Sequence, residues 1–110
     1  MVTVASDGRP HVARASVVAR DGSSVVVTGP GRKTRAHVAA GSTVTVLWSP
    51  ADNNDHTLVV DGRGETHDEE TMVVRPTRAV LHRPAPERPA GAEPEPTGAC
   101  TADCVEIALV

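Results

Sequence analysis

The chain has no phenylalanine and no tyrosine, and Trp48 is its one aromatic residue. Single-strand nucleic-acid binders stack bases on aromatic rings, so that class lacks its platform here. A broad excess of cations is missing too: the formal charge of the 110 residues is -3, whereas a general binder of the phosphate backbone needs the opposite sign. Two cysteines, Cys100 and Cys104, are too few for a disulfide framework and short of the four ligands of a structural zinc site. No paired spacing among the histidines supplies the rest, so no metal site is expected. No run approaches the ~18 apolar residues needed to cross a bilayer, and Met1 leads straight into strand-like residues rather than into a charged and then apolar leader. The expectation is a cytoplasmic protein with neither a membrane nor a nucleic acid as partner. His11, His37, His56, His67 and His82 are scattered and suggest no Ser-His-Asp or Cys-His grouping, so no catalytic side chain is named.

What the chain does have is Val, Ala and Leu in short runs between turn residues. Val2 to Ala5 reads as a strand, and Ser6-Asp7-Gly8-Arg9-Pro10 as a turn in which Asp bonds its own backbone and Gly supplies a positive φ. His11 to Arg20 reads as one strand, Asp21-Gly22 as a two-residue hairpin turn, and Ser23 to Thr28 as the return strand. The run Val25-Val26-Val27 points to cover on both faces. Thr43 to Trp48 and Thr57 to Gly64 are further strands around a polar loop, 49–55, that contains Pro50 and Asn53-Asn54. Glu65 to Glu70 turns the chain into Thr71 to His82, where Pro76 cannot donate to a ladder and demands a bulge or an edge. From Arg83 to Ala99 the composition is Pro, Ala, Glu and Gly, without apolar residues to offset the entropy of ordering. Val105 to Val110 is apolar again and fits either an added edge strand or a partner's surface.

The centre of this order is TGPGRKTRAHVAA, residues 28–40. Gly29, Pro30 and Gly31 end the strand, with Gly31 free to take angles a side chain forbids, and a helix is predicted from about Arg32 to the glycine at 41. The first-turn N–H groups of a helix carry a partial positive charge, so Arg32, Lys33 and Arg35 repel that dipole unless an anion lies among them. A phosphate resolves the conflict, taking backbone N–H bonds, a fork from Arg and a point charge from Lys. A solvated basic turn is the plain alternative.

Six antiparallel strands with one helix between strands 3 and 4 make a mainly β, small barrel the expected fold, since closure removes exposed edges. Residues 1–83 form that domain, 84–99 a Pro-rich linker or tail, and 100–110 a C-terminal apolar segment. The run from Arg9 to Pro50, with GRPHVARASVV, DGSSVVVTGPGRKTRAHV and TVTVLWSP, resembles the flavin-binding split barrels of the pyridoxamine 5'-phosphate oxidase family over about half the chain. The resemblance implies an FMN-dependent oxidoreductase acting on a small-molecule substrate, with a deazaflavin as the alternative cofactor. It implies that Arg32 and Lys33, with Arg35 beside them, hold the flavin phosphate. Arg14, Ser16, Val17 and Thr28 would line the rest of the flavin, and Trp48 would stand beside the subunit interface. The Pro-rich tail stands where the true oxidases carry the region that closes over pyridoxal phosphate, so that particular activity is not expected. A core of Val, Ala and Leu buries modest area per residue, which makes a lone barrel marginal and a two-fold homodimer the expected state. A cofactor-free dimeric β-barrel binding module is the reading from another class.

Overall fold

The computed structural model describes residues 1–20, 23–52, 55–84, 90–91 and 103–109. The expected turns at Asp21-Gly22 and Asn53-Asn54, most of the Pro-rich tail, Cys100 and Val110 lie outside the described residues.

Among these residues there are eight strands and one helix: β1 (Val2–Val4), β2 (Pro10–Val12), β3 (Ser16–Arg20), β4 (Ser24–Thr28), α1 (Arg32–Ala39), β5 (Thr43–Trp48), β6 (Thr57–Thr66), β7 (Thr71–Arg83) and β8 (Asp103–Ile107). All pairings are antiparallel. The sheet runs β2-β1-β5-β6-β7-β4-β3, with β8 on the free part of β7. It is a curled antiparallel half-barrel with one helix, the mainly β split-barrel class the sequence predicts.

The strand count differs from six for two reasons. His11 to Arg20, expected as one strand, is divided at residues 13–15 between β2 and β3. β2 pairs with β1 at one end of the sheet and β3 with β4 at the other, so this one stretch of chain supplies both edges. Residues 13–15 bridge the seam, and Ala13 exchanges backbone hydrogen bonds of 3.0 Å with Met1 in both directions. The split also moves α1 from between strands 3 and 4 to between β4 and β5. The second addition is β8, whose residues pair with 79–83 of β7; of the two fates open to the C-terminal segment, it takes the edge.

Pro76 produces the bulge expected of it. Asp61 lies opposite Arg78 and Gly62 opposite Pro76, which leaves Thr77 as the extra residue, its hydroxyl 3.3 Å from the Asp61 carbonyl it donates to. β6 continues to Thr66, two residues past the expected end, and the turn to β7 narrows to 67–70.

The core is built from alternating strand positions. Val25 and Val27 of β4, Val44 and Val46 of β5, Met72 and Val74 of β7 and Val38 of α1 form one buried cluster, flanked by Met1, Ala15, Val17 and Trp48. Val26, between two buried neighbours, is half-buried, so one face of β4 is fully covered and the other partly. Among the described residues no helix is long and apolar enough to cross a membrane.

None of the core cluster comes from β8. Ending the chain at Pro84 is therefore expected to leave a cooperatively folding half-barrel, at a cost of about 1 kcal/mol for the lost edge ladder, or roughly 4–8 °C in Tm. Circular dichroism melting of residues 1–84 checks this, and loss of a cooperative transition would make β8 an integral strand.

Candidate functional site

β4 ends at Thr28, paired with Ser16 at the end of β3, and the chain must turn there to begin α1. Gly29 makes that turn at φ 64°, a left-handed angle that a side chain disfavours, and its N–H donates to the Glu70 carbonyl at 2.8 Å. Gly31, where the sequence reading put the special angle, is instead extended, at φ -66° and ψ 160°, and caps the helix through its backbone with no side-chain hydrogen bond. The first turn of α1 holds no acidic residue. Within the turn itself its donors are thus met by three cations and no acid, an arrangement that attracts anions.

Successive helical residues are 100° apart, and the fold acts on that. Arg32 and Arg35 line a concavity of about 470 Å³ together with Thr66, His67, Asp68 and Glu69 of the β6–β7 turn. Lys33, on another face, lines a separate concavity of about 300 Å³ with Arg9, His11 and His37. The pair expected to act together thus flanks the helix start from two sides. Both side chains are exposed, and among the described residues neither they nor Arg35 has an ion-pair partner within 4.0 Å. Arg35 Nε is buried and without a hydrogen-bond partner among those residues, as is Thr34 Oγ1.

The remaining expected residues fall into two groups. Ser16 and Thr28 are exposed at the end of the β3–β4 ladder that leads into Gly29, and Thr28 Oγ1 donates to the Ser16 carbonyl at 3.4 Å. Arg14, Val17 and Trp48 line a third concavity of about 510 Å³ beside Met1 and Leu47. Val17 and Trp48 are half-buried and also pack against the core cluster; they serve the fold whatever else they do.

The histidines are not all scattered. The rings of His11 and His37 stand edge to face, 5.4 Å apart at 83°, and His37 Nδ1 is 2.9 Å from Thr3 Oγ1. His82 Nδ1 lies 3.0 Å from the Sγ of Cys104, an exposed free thiol. Both groupings join residues far apart in sequence. The first depends on α1 packing over β1 and the second on the register of β8, and the sequence has no marker for either.

Comparison with known proteins yields relatives of one kind. The Uncharacterized protein Mb0449c of Mycobacterium bovis (strain ATCC BAA-935 / AF2122/97) is 36% identical over 124 residues, spanning 99% of this chain and 84% of the relative. The Uncharacterized protein MT0457 of Mycobacterium tuberculosis (strain CDC 1551 / Oshkosh) matches to the same extent. No family model and no solved structure matches the chain. At that identity over nearly its whole length, the chain belongs to the family of these two mycobacterial proteins.

Proposed function

We propose that the protein binds FMN and works as a flavin-dependent oxidoreductase on a small-molecule substrate, as a two-fold homodimer. The observation that carries the reading is the helix start: a first turn with no side-chain cap and no acid, three cations without ion-pair partners among the described residues, and a buried Arg35 Nε lacking an acceptor among them. A phosphate supplies what all of them lack. Arg32 and Lys33 would hold it from either side of the helix start and Arg35 from within. Ser16 and Thr28, at the end of the ladder adjoining that start, and Arg14, Val17 and Trp48, in the third concavity, are the proposed lining for the rest of the flavin.

When bound, the isoalloxazine ring supplies hydride and electron transfer, for which side chains have no substitute. The chain's own part is to anchor the phosphate, orient the ring and shield it from water. A deazaflavin with a phosphate would suit the same helix start and is the alternative cofactor.

The dimer rests on outward apolar residues. Val12 is 73% exposed and Leu47 47%, and the register sets Val2 opposite both Val12 and Thr45. One outer face of β2, β1 and β5 therefore carries Val2, Val4, Val12 and Leu47, an area worth covering at about 25 cal/mol per Å².

Native mass spectrometry with an absorption spectrum tests cofactor and assembly together. The expected result is a dimer with one flavin per chain and absorption in the blue, retained on purification or restored by added FMN. A dimer that takes up neither FMN nor a deazaflavin would leave the cofactor-free β-barrel module as the better reading. A monomer with no uptake would reject the dimer as well.

A further inference from the structure

The helix face that carries Lys33 also borders a second concavity, apart from the one that Arg32 and Arg35 line. Lys33 and His37, one turn apart, close a concavity of about 300 Å³ whose other wall is Arg9, Pro10 and His11. That size is at the lower end of ligand pockets and suits a small molecule. Arg9 donates its Nε to Asp7 Oδ2 at 2.8 Å, so its terminal nitrogens remain for another acceptor. Lys33 has no ion pair among the described residues.

The proton on His37 can be assigned from the hydrogen-bond inventory. Thr3 is 1% exposed, and His37 Nδ1, at 2.9 Å, is the partner its hydroxyl has. A buried hydroxyl proton without an acceptor is costly, so Thr3 donates and Nδ1 accepts. The ring hydrogen then sits on Nε2, on the far side of the ring from Thr3, where it is a donor. Thr3 is thus a positioning residue that fixes which edge of His37 donates. The adjacent edge-to-face contact holds His11 against it.

We propose that this concavity is a second anion-binding site, bordering the helix start through Lys33, which takes the oxyanion of a small molecule, a phosphate ester or a carboxylate. Arg9 and Lys33 supply the charge, and His37 Nε2–H and His11 supply further donors. A metal ion is the wrong occupant: two imidazoles are short of a ligand set, and the two neighbouring cations repel it. No carboxylate is among the described residues that line it, and Asp7, in the neighbouring turn, is already engaged by Arg9.

The test is a titration of the full chain with inorganic phosphate at fixed pH and ionic strength, read by the imidazole 15N and 1H resonances of His11 and His37. Free protein is expected to show His37 protonated on Nε2, and both rings should shift saturably at millimolar phosphate. Arg9→Ala, an exposed change that leaves the fold intact, should weaken phosphate roughly tenfold or more. Thr3→Val should release His37 into a mixture of tautomers and weaken phosphate several-fold, a spectroscopic change that loss of packing alone would not produce. Arg63→Ala, an exposed charge change on β6, should alter the affinity by less than about twofold. Acetate in place of phosphate separates the sources: competition at similar affinity marks a carboxylate site, failure to compete a phosphate site, and either upholds the proposal. Shifts confined to the amides of residues 31–34, or no saturation at His11 and His37, would overturn it. Because the readout needs no flavin, a chain that saturates here yet takes up no FMN would refute the cofactor reading and leave this one standing.

Discussion

Replacing Gly62 by alanine is expected to cost about 3 kcal/mol and to lower the melting temperature by roughly 10–20 °C. A Cβ at this position would overlap the Arg75 carbonyl oxygen and come within 2.8 Å of Val74 Cγ1. Arg75 is part of β7, on the strand side of the Pro76 bulge, so what must yield is main chain rather than the end of a side chain. The bulge sits at the hinge of the sheet: residues 71–74 of β7 pair with β4 and residues 79–83 with β8. A shift at 75 therefore disturbs the placement of Met72 and Val74, both fully buried. A domain of this size has a stability on the order of 5–10 kcal/mol, so the loss is a large fraction of the whole. Gly64 is the internal comparison. Its added Cβ would meet Val38 Cγ1 at 3.0 Å and Val44 Cγ2 at 3.1 Å, side-chain methyls that can move by a few tenths of an ångström. Gly64→Ala should cost about 1 kcal/mol, near the low end for overpacking. Thermal unfolding of both variants checks the pair, and a Gly62→Ala protein melting within about 3 °C of the parent would show that the bulge absorbs the Cβ.

The local code was legible wherever a short stretch decides its own conformation. Asp7 Oδ1 accepts the Arg9 N–H at 3.2 Å and Gly8 takes φ 87°, as the Ser6-to-Pro10 turn requires. Gly41, at φ 92°, follows the end of α1, and Pro76 sits at its bulge. What was not legible depends on pairing partners. The division of residues 11–20 leaves no mark in the alternation of Val and Ala, because alternation does not report that the neighbouring strand changes from β1 to β4. The meeting of His11 with His37 requires knowing that α1 packs over β1, a contact that no local pattern reports. The separation of Arg32 from Lys33 is a different case. The 100° step per residue was available from the start, but which concavity each faces depends on the β6–β7 turn lying against one side of α1 and the β1–β2 turn against the other.

That separation shapes the largest functional effect expected here. Replacing Arg32 and Lys33 together by alanine removes two charge-assisted bonds of ~1.5–3 kcal/mol each, so FMN should bind roughly a hundredfold or more weakly. Riboflavin, which lacks the phosphate, should bind the parent poorly and lose little further on mutation, whereas a general loss of folding would weaken both ligands alike. Arg63→Ala, exposed and outside the three concavities, removes one charge and should change FMN affinity only slightly. The single variants add a geometric test. Residues on separate faces that close over one phosphate share a partner, so their effects should be coupled, with the double variant differing from the sum of the singles by 0.5 kcal/mol or more, a threshold of about that size marking true interaction. Additive losses would mean that Lys33 acts from its own concavity and that Arg32 and Arg35 hold the phosphate alone. Calorimetry in which parent and double variant bind FMN equally well would remove the helix start from the cofactor site altogether, and the acid-free first turn would then be a solvated basic surface.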